Sequence, residues 1–201
     1  MNLQSPVVIK LGGSLLTLPD LAARMQLVVK FLSPQKSLIV TGGGMAADEI
    51  RQLDYRYGLS SQQAHWDAIA AMTYNSEMLS RTCGNLPVVS NRIAAETAWK
   101  YYDAVFLDTR RFLREEQTQQ SRSLPESWSV TSDSIAAFIA LHWPARKIIF
   151  CKSRDLTSNA ISSSQNDDFD EWFQNLLHPL QQSEAELIWL NLRASVWQCL
   201  C

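Results

Sequence analysis

The sequence lacks several features that mark broad classes of protein. Its 201 residues contain no apolar run approaching the roughly 18–20 residues of a membrane-spanning helix. Charge of one sign is not in excess, because 18 basic residues stand against 20 acidic ones and the formal net charge is −2. Nucleic-acid-binding proteins normally carry a basic face, so this balance argues against that class. We therefore expect a protein that binds neither nucleic acid nor a membrane.

Cysteine and histidine are also sparse. The four cysteines form no CxxC pair, and the three histidines lie far from them in the sequence. This pattern predicts no metal site built from protein side chains and no disulfide framework. Cys199 and Cys201 are close enough to form a metal-binding or redox pair, but we interpret them as incidental thiols. Residues 1–10 do not contain a basic segment followed by an apolar core, so we expect no signal peptide. Together with the sparse cysteines, this leads us to expect a cytoplasmic location.

Glycine is scarce and unevenly distributed. The chain has seven glycines, all before residue 85, and five of them form two clusters at residues 12–13 and 42–44. Residues 85–201 contain none. Because glycine adopts φ > 0 freely and lets a ligand approach the backbone, any function that needs a glycine loop must lie in the N-terminal half.

Short apolar runs alternate with helical patterns along the chain. We predict strands at 6–11, 37–41, 86–89, 104–107, 147–151 and 187–190, and helices at 21–31, 45–57, 62–79, 93–101, 110–115, 132–142 and 169–180. Two polar stretches, 115–127 and 153–168, are interpreted as loops. Continuously apolar strands separated by helices are typical of a parallel sheet covered on both faces. The sequence therefore predicts an α/β fold, a three-layer αβα sandwich around a mainly parallel sheet, in a single domain over 1–201.

Both glycine clusters follow predicted strands. Gly12 and Gly13 end the first strand, and Gly42, Gly43 and Gly44 lie between the second strand and its helix. In an open α/β sheet the ligand lies at the carboxyl ends of the strands, and a helix N-terminus there favours an anion. The alternative is that these glycines only turn the chain. Neither cluster reads GxxxxGK[ST] or GxGxxG, which excludes a P-loop and a Rossmann fingerprint.

Two charged residues are expected near these strand ends. Lys10 ends an apolar strand beside Gly12, where an unpaired ammonium is costly, so an anionic partner is favoured over solvent exposure. A lysine there can neutralise charge on a transferring phosphoryl group. Asp133 falls in the first turn of a predicted buried helix that Thr131 or Ser132 can cap. Stabilisation by the helix dipole alone explains Asp133, and a carboxylate directed at the sheet edge is the functional alternative.

The order of these motifs resembles that of the amino acid kinase family. IKLGGSL at 9–15 is followed by VTGGGMAADEIR at 40–51, TSDSIAA at 131–137 and KIIF at 147–150. AHWDAIAAM at 64–72, ESWSVTSDS at 126–134 and FDEWF at 169–173 are similar to segments of the aminomethylfuran phosphate kinase branch. The resemblance covers nearly the whole chain and implies an amino acid kinase-like domain.

The resemblance implies an ATP-dependent kinase, with Mg²⁺ accompanying ATP, that acts on a phosphate or carboxylate of a small molecule. The implied acceptor is an aminomethylfuran phosphate of methanofuran or tetrahydromethanopterin-type cofactor biosynthesis, and the implied assembly is a homodimer. Lys10 and Asp133 would be catalytic. The residues implied for the nucleotide are Gly12, Gly13, Ser14, Lys152 and Asp155, and those for the acceptor are Gly42, Gly43, Gly44, His65, Trp128 and Ser132.

The sequence departs from the family after the fifth predicted strand. The family has a nucleotide loop of the type TDVDGVY there, whereas this chain has CKSRDLT at 151–157, without glycine, in a shortened nucleotide-binding half at about 145–201. Lys152 is either a phosphate ligand or a solvated strand-end residue, and His65 and Trp128 are either acceptor ligands or packing residues. The alternative function is a catalytically inactive kinase-fold protein that binds a phosphorylated small molecule or a partner enzyme.

Overall fold

Strands and helices alternate along the chain in the computed structural model, which describes residues 5–117, 124–157 and 167–200. The strands are β1 Val7–Leu11, β2 Ser37–Thr41, β3 Val88–Val89, β4 Ala104–Leu107, β5 Lys147–Lys152, β6 Glu186–Asn191 and β7 Val196–Cys199. The helices are α1 Leu21–Leu32, α2 Gly44–Tyr57, α3 Ser61–Thr82, α4 Arg92–Ala98, α5 Thr109–Gln117, α6 Ser132–His142 and α7 Gln174–Gln182, with short 3₁₀ turns at Gly13–Leu15 and Glu171–Phe173. None of the described helices is both long and apolar enough to cross a membrane.

All of these strands join one sheet in the order β3-β4-β2-β1-β5-β6-β7. The pairs from β3 to β6 are parallel, and only the β6–β7 pair among the described strands is antiparallel. This confirms the predicted α/β fold with a mainly parallel sheet.

The sheet is covered on both faces because its central strands are apolar throughout. Every residue of β1, β2 and β4 is buried. Alternate residues of a strand point to opposite faces, so Val8 joins one core with Phe138 of α6, whereas Ile9 joins the other core with Met25 of α1. The three predicted layers follow from this alternation.

Local sequence signals set several helix ends. The Ser60 side chain accepts a hydrogen bond from the Gln63 N–H at 3.1 Å and starts α3, and Asn91 starts α4 by accepting from Ala94. Helix α2 ends at Gly58, which has a left-handed φ of 64°. These signals place the helix boundaries within a few residues of their predicted positions.

Three predicted segments differ from the structure. Strand β7 was not predicted, because it is only four residues long and mostly exposed, and it pairs with β6 at the edge of the sheet. The helix predicted at 169–180 is divided into the 3₁₀ turn Glu171–Phe173 and α7, because Asp170 caps the turn through the Phe173 N–H. Helix α5 extends to Gln117, into the stretch predicted as a loop, and residues 118–123 and 158–166 of the predicted loops lie outside the described residues.

The strand order reverses between β1 and β5. From β1 the chain proceeds outward through β2 and β4 on one side, and β5 and β6 lie on the other side. Gly12 donates its N–H to the Cys151 carbonyl at 2.9 Å, so the loops after β1 and β5 lie side by side at the carboxyl edge. This crevice is where open α/β sheets bind their ligands.

Candidate functional site

A buried cluster of three charged side chains lies at the carboxyl ends of β1 and β5. Asp133 in the first turn of α6 receives Lys10 Nζ at 2.8 Å on one carboxylate oxygen and Lys152 Nζ at 2.7 Å on the other. Lys10 and Asp133 are 4% and 5% exposed. We call these residues the Lys–Asp–Lys cluster. It brings together Lys10, Asp133 and Lys152, which sequence reasoning had placed on three separate elements.

The cluster carries more positive than negative charge. Burial alone raises the pKa of Asp133, but the Lys10 and Lys152 ammonium groups more than offset this effect and hold that pKa below its usual value. One carboxylate therefore stays ionised between two cations. Because a buried excess charge is unfavourable without a partner, the arrangement favours the binding of an anion.

Lys152 has an unusual proton affinity for a lysine. Burial lowers its pKa to about 8, and the nearby Lys10 and Arg154 charges act in the same direction, while Asp133 opposes them. Its Nζ also donates to the backbone carbonyl of Asp168 at 3.0 Å. The Lys152 side chain is therefore fixed by hydrogen bonds and partly desolvated, and it is not a solvated strand-end residue.

The two glycine loops are in direct contact above the strand ends. A Cβ on Gly13 would lie 2.5 Å from the backbone nitrogen of Gly44, and a Cβ on Gly42 would lie 2.5 Å from the nitrogen of Gly13. Gly44 also has a left-handed φ of 56°. Side chains are therefore excluded here for steric reasons. The first N–H groups of a helix lack intrahelical partners, and the two helical turns that begin at Gly13 and Gly44 bring such groups together.

Asn75 of α3 fixes the second loop and was not found from the sequence. Its Nδ2 donates to the carbonyls of Gly42 at 2.8 Å and Gly43 at 3.0 Å. Asn75 is 5% exposed and occupies an otherwise ordinary helical position. These bonds hold the carbonyls toward α3, and the Gly42 N–H donates to the Leu11 carbonyl at 2.7 Å.

A cavity of about 470 Å³ opens between the glycine loops, α3 and the first turn of α6. It contains most of the residues predicted for the acceptor: Gly43, Gly44, His65, Trp128 and Ser132 all line it. Gly13 and Ser14, which were predicted for the nucleotide, line it as well. Ser132 precedes Asp133 in the first turn of α6, so the cavity wall and the Lys–Asp–Lys cluster share that turn.

His65 supplies a polar group to a largely apolar wall. The residue is 3% exposed, and among the described residues no hydrogen-bond partner reaches its Nε2 atom. Burial lowers the pKa of His65, and the Ser127 backbone and the Glu126 carboxylate oppose this only in part. The ring is therefore neutral at pH 7, and its Nε2 atom is buried without a partner among the described residues.

Trp128 connects the cavity wall to α2. Its Nε1 donates to Asp54 at 2.6 Å, and the Arg51 guanidinium lies 4.6 Å from its ring centroid. Arg51 also lines the cavity and adds a positive charge there. Arg51 ends the VTGGGMAADEIR motif, which is the signal that could have identified it.

Only some residues of the loop after β5 contact the first glycine loop or the Lys–Asp–Lys cluster. Ser153 forms a hydrogen bond with Ser14 at 2.9 Å and so joins the β5 loop to the first glycine loop. Asp155, predicted to contact the nucleotide, instead accepts a hydrogen bond from Asn191 at 2.7 Å at the end of β6. The structure therefore brings Lys152 into the cluster but directs Asp155 toward the neighbouring strand.

The first turn of α6 is capped from another part of the chain. Thr131 occupies the N-cap position without capping the helix through its own side chain. The Asp170 carboxylate accepts the N–H groups of Thr131 and Ser134 instead. The predicted cap by Thr131 or Ser132 is thus replaced by a distant aspartate of the FDEWF segment.

Comparison with known proteins relates these features to one family. The sequence model of the amino acid kinase family matches residues 5–160. Similar solved structures include uridylate kinase from Archaeoglobus fulgidus, with 19% identity, coverage of 90% of this chain and 88% of that chain, and a TM-score of 0.63. UMP kinase from Ureaplasma parvum has 17% identity, coverage of 96% and 92%, and a TM-score of 0.60. UMP kinase from Bacillus anthracis has 15% identity, coverage of 94% and 88%, and a TM-score of 0.62.

These identities establish a shared fold and do not extend to substrates. No curated protein matches the chain in sequence. The family match runs from just before β1 into the segment that follows β5, and it therefore includes both glycine loops and all three residues of the Lys–Asp–Lys cluster. The chain belongs to the amino acid kinase family.

Proposed function

We propose that this protein is an ATP-dependent kinase that transfers a phosphoryl group to a phosphate or carboxylate of a small molecule. The observation that carries the proposal is the Lys–Asp–Lys cluster, in which the buried Lys10 ammonium and the largely buried Lys152 ammonium share one carboxylate beside two touching glycine loops. Phosphoryl transfer depends almost entirely on positioning and charge neutralisation. A site with excess buried positive charge and exposed helix N-termini supplies both.

The roles of the protein groups follow from their places. Lys10 and Lys152 neutralise charge on the transferring phosphoryl group, and Asp133 holds both ammonium groups in place. In the first glycine loop, the N–H groups of Gly13 and Ser14 and the Ser14 hydroxyl bind the phosphates of ATP, since the Gly12 N–H is engaged by the Cys151 carbonyl. The second glycine loop, at 42–44, binds the acceptor anion. In-line transfer then requires little covalent chemistry from the protein.

The residues present fit a polyphosphate with its metal. Among the described residues no group of three or more His, Cys, Asp or Glu side chains is placed to hold a metal ion. Mg²⁺ would therefore be held mainly by phosphate oxygens, as is common for this ion. When bound, Mg²⁺ supplies further charge neutralisation on the phosphates of ATP. We assign the nucleotide to the half of the molecule at about 145–201, within a single domain over 1–201.

For the acceptor we propose a small phosphate ester, with an aminomethylfuran phosphate as the first candidate. The cavity has apolar walls formed by Ile69, Met72 and Ile135, which suit a compact ring. Its polar side chains include Asp48, Arg51 and several hydroxyl groups, and His65 is the most deeply buried of them. An aminomethylfuran phosphate would place its phosphate at the second glycine loop and an amine within reach of a neutral imidazole.

A second candidate function is ligand binding without turnover. The observation that favours it is the loop after β5, which has no glycine and whose Asp155 carboxylate is engaged by Asn191. In that case the protein binds a phosphorylated small molecule or a partner enzyme and has no use for ATP.

We also propose a cytoplasmic homodimer. Large apolar side chains remain exposed on the surface: Leu27, Phe31, Tyr74 and Met78 are 66%, 73%, 62% and 42% exposed. Covering such residues is a common reason for association. Light scattering of the eluting protein at several concentrations tests this part of the proposal.

One experiment separates the two functions. Calorimetry with Mg-ATP is followed by a transfer assay with a panel of acceptors that includes aminomethylfuran phosphate and UMP. The kinase proposal predicts ATP binding, turnover with one acceptor, and a loss of about 10²–10³-fold in kcat for Lys10→Met. Lys100→Met, which removes an exposed lysine, is the matched control. No binding at millimolar Mg-ATP, together with binding of a phosphate ester, would establish the second function.

A further inference from the structure

Asp170 lies outside the cluster and the cavity, yet it makes an unusually large number of hydrogen bonds. Its Oδ2 accepts from the Thr131 N–H at 2.9 Å, the Thr131 hydroxyl at 2.7 Å and the Ser134 N–H at 3.0 Å. Its Oδ1 accepts from the Ser134 hydroxyl and from the Phe173 N–H at 3.1 Å. Five donors therefore converge on one carboxylate.

These bonds enclose the central residue of the cluster. Thr131 and Ser134 lie on either side of Asp133 in the first turn of α6. The backbone of that turn is held at two points, so the direction of the Asp133 side chain is fixed with it. A carboxylate near a helix N-terminus is also favoured by the helix dipole.

The segment that carries Asp170 also holds the second lysine. The Asp168 carbonyl accepts from Lys152 Nζ at 3.0 Å, and the Phe169 ring lies 5.3 Å from that Nζ. Phe169 stacks on Phe173 at 4.1 Å between ring centroids, and Phe173 belongs to the turn that Asp170 caps. One short segment thus fixes both Lys152 and the helix of Asp133.

We propose that Asp170 is a positioning residue, which orients the first turn of α6 so that Asp133 is held between Lys10 and Lys152. Asp133 bridges two ammonium groups at 2.7 and 2.8 Å, and such a bridge does not tolerate movement of its helix. A misplacement of about 1 Å at a catalytic group can reduce turnover by roughly 10²-fold. For its effect on turnover this inference rests on the proposed phosphoryl transfer, but its effect on the geometry of the cluster does not.

The test compares three variants of the full chain. Asp170→Asn removes the charge and half of the acceptor capacity, and Ser134→Ala removes one donor while keeping the carboxylate. Glu171→Gln is the matched control, since Glu171 is the adjacent, exposed carboxylate. Each variant is measured for Tm, for kcat and KM, and for the pKa of Lys152 by NMR titration of labelled lysines, of which the chain has six.

We expect Asp170→Asn to lower kcat by about 10–100-fold at a temperature where the variant is fully folded. Ser134→Ala should act in the same direction with a smaller effect, and Glu171→Gln should stay within about twofold of the wild type. The pKa of Lys152, about 8 in the wild type, should rise toward that of an exposed lysine in Asp170→Asn as the site loosens. The charged groups that set it are Asp133, Lys10 and Arg154.

The outcomes separate positioning from simple helix capping. If Asp170→Asn only lowers Tm and leaves both kcat and the Lys152 pKa unchanged, Asp170 is a structural cap and the proposal is wrong. If the wild type shows no turnover, the kinase function fails while the Lys152 pKa still decides the positioning role. If Asp170→Asn does not fold, Ser134→Ala decides it, because an unchanged Lys152 pKa and kcat in that variant would also overturn the proposal.

Discussion

At the scale of single residues, Asp133 and Lys152 of the Lys–Asp–Lys cluster should contribute differently to stability and to ligand binding. Asp133 neutralises two buried cations, whereas Lys152 is the desolvated member of a pair of like charges. Removing the carboxylate leaves two uncompensated ammonium groups, while removing one ammonium group leaves a neutral pair. Stability and ligand binding should therefore respond differently at the two positions.

We predict that Asp133→Asn lowers the free energy of unfolding by about 3–5 kcal/mol, the usual effect of leaving buried charge unpaired. Lys152→Met should have little effect on stability, or should increase it, while weakening the binding of phosphates. Urea denaturation at pH 7 measures both. Asp103→Asn, which breaks a partly exposed ion pair with Lys36, is the control and should change stability little. Equal destabilisation by Asp133→Asn and Lys152→Met would contradict the prediction.

Lys152 also predicts a pH dependence. Its pKa of about 8 means that the ammonium form, to which the proposed mechanism assigns neutralisation of phosphate charge, is lost as the pH rises through that value. We expect kcat/KM for ATP to fall above about pH 8, since this ratio reports groups of the free enzyme. Lys152→Arg keeps its charge at every pH in this range and should remove the alkaline limb at a lower overall rate.

As the pH rises, the contribution of Lys152 to stability should change in the direction opposite to its effect on activity. Its pKa in the folded protein is lowered from 10.5 to about 8, so the unfolded chain binds more protons between these values. The contribution of Lys152 to the free energy of unfolding therefore rises with pH over that range. A loss of activity that accompanied unfolding, or an alkaline limb that persisted in Lys152→Arg, would show that another group is responsible.

His65 tests the acceptor side of the cavity. Replacing it with Leu removes the unpartnered Nε2 atom together with the hydrogen bond to the Ser127 backbone, so stability should fall by only about 1 kcal/mol, while the proposed polar contact to the acceptor is lost. We predict that the KM for the acceptor rises by about tenfold or more and that the affinity for Mg-ATP is unchanged. His178→Leu, at an exposed position of α7, is the control. An unchanged acceptor KM would make His65 a packing residue.

At the scale of elements, the site depends on how closely two loops approach. Gly13 and Gly44 touch backbone to backbone, so neither loop can accept a side chain without moving the other. The turn after β1 and the start of α2 therefore act as one unit, although about thirty residues separate them in the sequence.

We predict that Gly13→Ala separates the two loops and weakens the binding of both ATP and acceptor. Its Cβ would lie 2.5 Å from the Gly44 nitrogen, a contact with backbone that cannot be relieved by a side-chain rotation. Gly58→Ala is the control: it has a φ of 64° but nothing within 4 Å of the added Cβ, so it should lower stability by about 1 kcal/mol without affecting binding. Isothermal titrations of both variants compare the two. Wild-type affinity in Gly13→Ala would contradict a shared loop unit.

The sequence predicts best those strands and loops whose signal lies within a few consecutive residues. The apolar runs of β1, β2 and β4 and the two glycine clusters reveal the parallel sheet and its ligand edge without any tertiary information. Strand β7 cannot be predicted in this way, because it is an edge strand that pairs only with β6 and its Val-Trp-Gln-Cys sequence has no clear alternation of apolar and polar residues. Asn75 and Asp170 cannot be predicted for a different reason. Each side chain bonds backbone groups that are distant in sequence, and no spacing rule connects a side chain with such backbone groups.

At the scale of the whole molecule, the site is divided between distant parts of the chain. Both glycine loops and Lys10 come from the first 44 residues, while Asp133 and Lys152 come from α6 and the end of β5. The sheet joins these parts through the β1–β5 pair, where Lys10 lies opposite Phe150. A ligand that bridges the glycine loops and the lysines therefore connects the two halves across the crevice.

Such a ligand should stabilise the entire fold, because it binds only when both halves are assembled. At a Mg-ATP concentration 100 times its Kd, the gain is about 2.7 kcal/mol, which for a chain of this size corresponds to a rise in Tm of roughly 5–10 °C. Lys10→Met should lose most of this shift if, as proposed, Lys10 and Lys152 offset the phosphate charge. Lys100→Met should keep it. Sodium chloride at equal ionic strength controls for general screening: if salt alone reproduces the shift, the anion is not bound at the cluster, and the buried excess of positive charge serves another purpose.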